Sequence, residues 1–232
     1  WRPAAVAGVV GLQVPDVAAS VNAPADPRPA CRRVRRAEQP LMPWQNGGGS
    51  TRQVAIEPAD GSLANGFTWR VSCAQVDSDG PFSRLPGVDR SLWLWRGRGL
   101  RLLLDGQEHL LATPYARCDF AGEVPVAATR LDGACEDVNV MTNRARCRAD
   151  ARVVALHAGD TLRVPSAPQW LLLVLDGVLD GALDGASANQ PFEASELAAG
   201  DALRGEGAGP ELCARTHGTA LVVAFTPLAE AR

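Results

Sequence analysis

From Val34 onward, short apolar runs alternate with Gly and Pro breaks, a pattern of strands joined by turns rather than of helices. The clearest alternation spans Phe67 to Val76. Phe67, Trp69, Val71 and Cys73 share one face, and Thr68, Arg70, Ser72 and Ala74 share the other. Asp137 to Met141 repeats the scheme, with Asp137 and Asn139 opposite Val138 and Val140. Ser91–Trp95 and Leu100–Leu104 are too apolar to have a water face, so both must be enclosed. Gly97 and Gly99 between them predict a tight hairpin. The segment Asp79–Arg90, with two prolines and two glycines, reads as a stiff loop at the strand ends.

Further strands are expected at Gln53–Ile56, at Glu108–Leu111, within Tyr115–Thr129 and at Leu221–Pro227, with Pro114 and Pro125 as limits. Arg144–Arg152 reads as a polar connector, and Met141–Ala151 is the best place for a short helix. The chain also resembles itself. Trp170–Leu179 repeats the scheme of Leu92–Arg101: an apolar strand, a charged residue, a Gly turn and a returning strand. Ala158–Arg163 is answered by Ala199–Arg204, where each Gly-Asp pair predicts a turn feeding a new strand. The expectation is an all-β protein with little helix, divided into two similar halves at 33–148 and 149–232. Residues 1–32, with prolines at 3, 15, 24, 27 and 29, are expected to form a disordered leader. The apolar stretch Ala4–Leu12 is short and broken by Gly, a poor match to an export signal.

At 232 residues the chain is long enough to bury a sizeable core. A net charge of −3 gives no general attraction to nucleic acid or to an anionic membrane, and the run Arg32, Arg33, Arg35, Arg36 reads as a solvated edge. All basic side chains are Arg, which excludes Lys Schiff-base chemistry. Cysteines at 31, 73, 118, 135, 147 and 213 form no CxxC pair and read as thiols in a reducing cytoplasm. No run approaches the ~18 to 20 apolar residues of a membrane-spanning helix. His109, His157 and His217 lack the spacing that places two metal ligands on one strand or helix, and no G-x-S-x-G elbow is present.

Two stretches carry candidate chemistry. Pro43–Arg52, PWQNGGGSTR, has three glycines whose amides could face an anion, although it lacks the ending of a P-loop. If the Phe67–Val76 strand lines a lumen, Arg70 beside Thr68 and Ser72 forms a receptor for a carboxylate. Arg70 pairing internally with Asp137 is the structural alternative. Asp77, Asp79, Asp89 and Asp137 are the candidates for acid–base work.

Pro43–Arg52, Trp69-Arg-Val-Ser72, Asp79-Gly-Pro-Phe-Ser83, Pro86-Gly-Val-Asp-Arg90 and Asp137-Val-Asn-Val-Met-Thr142 together resemble the HutD/Ves family, in order and approximate spacing, across about residues 33 to 228. The resemblance implies a cytoplasmic bacterial protein of two cupin-like β-barrel or sandwich halves, a bicupin, often encoded with histidine-utilisation enzymes and regulatory or ligand-sensing in role. Metal-binding cupins carry an H-x-H…E set and a later G-x5-P-x-G-x2-H set. Here the first is missing, and the second runs Gly159, Pro165, Ala167 with Trp170 in place of the histidine, so neither metal nor cofactor is expected. Gln45 stands where the family often has Lys. The site expected from resemblance and pattern comprises Trp44, Asn46, Thr51, Arg52, Arg70, Ser72, Phe82, Arg90, Asp137 and Asn139. Its expected partner is a small organic carboxylate, such as urocanate or formylglutamate, rather than nucleic acid or membrane, and a homodimer is allowed. The alternative is a cupin hydrolase or isomerase with Asp89 or Asp137 as general base.

Overall fold

Alternating and doubly apolar runs, each cut short by Gly or Pro, make nearly every described segment a strand. The structure, a computed structural model, describes residues 31–181 and 196–229. Most of the expected leader lies outside them. The first strands are β1 (Cys31–Val34), β2 (Leu41–Pro43), β3 (Gly49–Glu57), β4 (Trp69–Val76), β5 (Gly80–Pro81), β6 (Val88–Arg96) and β7 (Leu100–Leu104). Then come β8 (Gln107–Leu111), β9 (Arg117–Ala121), β10 (Val126–Arg130), β11 (Cys135–Asn143), β12 (Cys147–Leu156) and β13 (Thr161–Arg163). The last are β14 (Ala167–Asp176), β15 (Val178–Asp180), β16 (Leu197–Ala198), β17 (Ala202–Gly207), β18 (Glu211–Ala214) and β19 (Gly218–Pro227). A 3-10 turn at Arg36–Glu38 is the only helical piece among the described residues.

Four antiparallel sheets result. In the first half β2-β3-β4-β11-β6-β9 packs on β5-β10-β7-β8 through Leu92, Leu94, Leu100, Leu102 and Val126. In the second, β1-β17-β14-β19-β12 packs on β13-β18-β15-β16 through Leu172, Val174, Leu203, Leu212 and Val222. Ladders do not join the sheets of a pair into a cylinder among the described residues, so each half is a sandwich. The two large sheets also pack back to back. Trp69, Val71, Trp93, Trp95 and Val138 interleave with Leu171, Leu173, Leu221, Val223 and Phe225, and Trp69 stacks on Phe225 with ring centroids 4.1 Å apart. The Trp95 indole Nε1 donates to the Leu175 carbonyl at 2.7 Å, which satisfies a polar group inside this apolar seam.

Three expectations change. The predicted hairpin at Gly97 and Gly99 is a corner: β6 pairs with β11 and β9, whereas β7 pairs with β10 and β8, so the chain leaves the large sheet for the small one. The repeat at Trp170–Leu179 makes the same move, from β14 in a large sheet through Gly177 to β15 in a small one. Met141–Ala151 holds no helix, and the connector shrinks to a turn at 144–146, because β12 begins at Cys147 and runs beside β19 for its full length. Finally, Cys31–Val34, which spans the end of the expected disordered leader and the start of the first half, is a strand that pairs with Ala202–Gly205 and so completes the second half's sheet. The paired Gly-Asp turns do correspond. Asp160 accepts from the His157 amide at 2.8 Å and Asp201 from the Ala198 amide at 3.3 Å, each after the same three-residue step.

Candidate functional site

Strand periodicity dictates where the polar residues go. One face of β4, β11 and β6 is consumed by the seam between halves, so Arg70, Ser72, Asp137, Asn139 and Arg90 must point into the first sandwich. Register then sets them side by side. Met141 lies between Arg70 and Arg90, Asn139 between Ser72 and Leu92, and Asp137 between Ala74 and Leu94. Leu92 and Leu94 meet the small sheet and close the interior on that side. The remaining wall bounds a cavity of about 500 Å³. Of the expected site residues, Trp44, Asn46, Thr51, Arg70, Ser72, Phe82, Arg90, Asp137 and Asn139 line it.

The wall carries two hydrogen-bonded groups, one built on Arg70 and one running from Arg90 through Asn139 to Asp137. Arg70 donates from Nε to Gln53 Oε1 at 3.0 Å and from Nη1 to Ser72 Oγ at 3.1 Å. Arg90 donates from Nε and Nη2 to Asn139 Oδ1, at 3.3 and 2.9 Å, and from Nη1 to the Ser83 carbonyl at 3.3 Å. Phe82 and Phe120 lie against the Arg90 guanidinium, 5.5 and 4.9 Å from its carbon, which offsets part of its lost hydration. Asn139 in turn donates to Asp137 Oδ1 at 2.6 Å, while Asp137 Oδ2 is buried without a partner among the described residues.

Both arginines are buried, at 3% and 7% exposure, and no ion pair among the described residues involves either. The alternative pairing of Arg70 with Asp137 is therefore not made; Gln53 and Ser72 take its place. Burial draws Arg70 down to about 10 and Arg90 likewise to about 10, the latter against the attraction of Asp137 and with added repulsion from Arg70. Burial pushes the Asp137 carboxyl up to about 7, against the pull of Arg90 and the Asn139 hydrogen bond. The result is a sheltered positive wall beside a carboxyl group that exchanges its proton near neutrality.

The Gly-rich segment is more tightly built than its composition predicts. It is a β2–β3 hairpin in which Gly47 donates to the Trp44 carbonyl and Gly48 to Asn46 Oδ1, so these amides do not await an anion. Trp44 is anchored through Nε1 to Thr51 Oγ at 2.8 Å, which holds the indole at the cavity. Arg52 does not join the site. It alternates with Thr51 along β3 and donates instead to the Arg36 and Gln39 carbonyls, at 3.3 and 3.2 Å. Asp89 is exposed and paired with Arg144 at 2.7 Å, away from the cavity wall, and Asp79 accepts from Arg130 at 3.0 Å. Of the aspartates considered for acid–base work, Asp137 is the one in the cavity lining.

Gln53 and the apolar rim of Met42, Leu63 and Leu85 escaped the sequence reading. The signal for Gln53 was its period-two relation to Thr51; the rim residues carry no local mark. Among the described residues no group of three or more His, Cys, Asp or Glu is arranged to hold a metal ion. His157 and His217, distant in sequence, do meet at the end of the β12–β19 ladder with Nδ1 atoms 3.2 Å apart. No described helix is long and apolar enough to cross a membrane.

Comparison with known proteins places this geometry. A stretch of 116 residues is 37% identical to an uncharacterized 21.2 kDa protein in the hutC 3′ region of Pseudomonas putida, covering 50% of this chain and 60% of that protein. The match to protein Ves of Cronobacter sakazakii is 36% over 141 residues, 60% of this chain and 74% of Ves. The crystal structure of PA5104 from Pseudomonas aeruginosa PAO1, a conserved protein of unknown function, superposes with a TM-score of 0.73 at 32% identity, covering 84% of this chain and 98% of that one. Oxalate decarboxylase OxdC of Bacillus subtilis, at 7% identity, a TM-score of 0.59 and coverage of 84% of this chain and 79% of that one, shares the cupin fold alone. The HutD family model matches residues 36–222, a span that includes every strand lining the cavity, and the chain belongs to the HutD family.

Proposed function

We propose that the first-half cavity binds a small organic carboxylate and that binding serves a regulatory or flux-limiting role in the cytoplasm. The carrying observation is the pair of buried guanidiniums, Arg70 and Arg90, on one wall with no carboxylate among the described residues paired to them. A buried charge without a counter-charge is costly, and an incoming anion relieves that cost at both arginines together. Donors are available. Arg70 Nη2 has no hydrogen-bond partner among the described residues, and Arg90 retains one N–H on each terminal nitrogen after its bonds to Asn139 and Ser83. Family membership, and the hutC-adjacent relative in P. putida, favour an intermediate of histidine breakdown such as urocanate or formylglutamate. Six free cysteines, five of them buried, accord with a reducing compartment.

Calorimetric titration with urocanate, formylglutamate and formate tests the reading. Wild type binds at least one of them, and Arg90→Ala weakens binding by about 2 to 4 kcal/mol. Equal binding by Arg90→Ala and wild type refutes the assignment. Asp137 favours a second reading, that of a hydrolase or isomerase with this carboxyl as general base, because its proton exchanges near pH 7 and one oxygen is unengaged. Turnover of either metabolite by wild type, abolished in Asp137→Asn, would establish it; binding without turnover leaves the sensor.

A further inference from the structure

Asp137 carries more information than its charge. It lines the cavity at 1% exposure; Oδ1 is taken by Asn139, and Oδ2 meets no donor among the described residues. Buried polar atoms in folded proteins are nearly always partnered, and exceptions cluster where a ligand or water supplies the missing group. Asn139 spends its Nδ2 on Oδ1 and its Oδ1 on Arg90, and it makes no bond to Oδ2. The guanidiniums point the other way chemically: they offer donors and ask for acceptors. One wall thus asks for both a carboxylate and a donor.

Resting on the carboxylate reading above, we infer that the cavity selects acids that also carry an N–H donor, with the carboxylate against Arg70 and Arg90 and the N–H on Asp137 Oδ2. The strand register gives their separation. Arg90 and Arg70 reach the level of Asn139 and Ser72, which are cross-strand partners, and Asp137 lies two residues further along β11. Two residues of antiparallel strand rise roughly 7 Å. Formate is too short to span this, and the amine of a simple α-amino acid lies too close to its carboxylate. An imidazolyl acid fits the separation, as does an N-acyl amino acid with a side-chain carboxylate.

Matched ligand pairs test the inference by calorimetry on the full chain at pH 7. One pair is urocanate and 3-(2-furyl)acrylate, which keeps the planar acid and lacks the N–H. The other is N-formylglutamate and its N-methylated amide. Wild type is expected to bind the N–H member of at least one pair tenfold to a hundredfold more tightly, and that pair identifies the source of the donor. In Asp137→Leu the gap closes to within twofold while the N–H-free member still binds. If that variant does not fold, the wild-type ratios decide alone. Measurable binding of both pairs with ratios within twofold overturns the inference and leaves the carboxylate site standing. No binding by any of the four acids, or by formate, overturns both.

Discussion

Arg90 is held from three sides: Asn139 fixes its Nε–Nη2 edge, Ser83 takes Nη1, and two phenyl rings lie against its carbon. Such a side chain meets a ligand with little rotamer entropy left to lose, which favours affinity. Asp137 at the other end of the relay should leave a signature in stability. Its carboxyl is raised from the usual 3.8 to about 7 by burial, so between those values the folded protein holds a proton that the unfolded chain has released. Unfolding stability from this group therefore falls as pH rises from about 4 to about 7 and is level above. Urea melts at pH 5 and pH 7.5 should show that Asp137→Asn reduces this fall, whereas an unchanged slope would mean that the carboxyl titrates normally. Asp79 and Glu123, drawn down chiefly by hydrogen bonds from Arg130 and Arg144, contribute with the opposite sign but mostly below about pH 5, outside this window. Most of the site was legible at this scale because a strand has only two faces, and a polar face opposite a Trp-Val-Cys face has to enclose something. Arg52 shares the Gly-rich motif with Thr51, yet period two puts it on the opposite side of β3.

At the scale of elements, an apolar strand, a Gly turn and another apolar strand describe a hairpin and a corner equally well. Only long-range pairing decides, and here β6 is claimed by β11 and β9. The corner makes Gly97 indispensable. Its φ is +100°, and a Cβ there would lie 2.7 Å from the Cys135 side chain and 2.8 Å from the Ala134 carbonyl oxygen. Gly97→Ala should cost about 1 to 3 kcal/mol in a chemical melt, and ligand binding should weaken with it because β6 carries Arg90; a neutral effect would argue for a relaxed turn. Strand β12 was read as a connector for a different reason. Its outward residues Arg148, Asp150 and Arg152 are charged, while Cys147 and Ala151 face the seam, and such small side chains give little hydrophobic signal. Its partner β19 is a nearly continuous apolar run, with Leu221, Val223 and Phe225 toward the seam and Ala220 and Val222 toward the second sandwich, and so reads as a strand directly.

For the whole molecule, the division of labour is uneven. The second half repeats the first in its corner at the Gly turn, and Leu172, Val174, Leu179, Leu203 and Val222 pack between its sheets; the cavity lies in the first half. Because the two large sheets share one apolar seam, the halves should unfold together. Phe225→Ala removes the ring stacked on Trp69 and should cost about 3 to 5 kcal/mol. The midpoint should move equally for tryptophan fluorescence and for backbone circular dichroism, whereas two separated transitions would show that the seam does not couple the halves. The all-β class and the repetition were readable because turns and alternation are local. The seam was not, since a strand buried on both faces does not say which neighbour covers each.

The path of β1 has a practical corollary. A gene severed at the turn 144–146 would give an upstream product still holding the ribbon that hydrogen-bonds to Ala202–Gly205, and a downstream product with that margin bare. Bare margins of this kind invite fibrils and swapped assemblies. Anyone transplanting the second half as a scaffold should graft Cys31–Val34 back on, by circular permutation or as a tethered peptide.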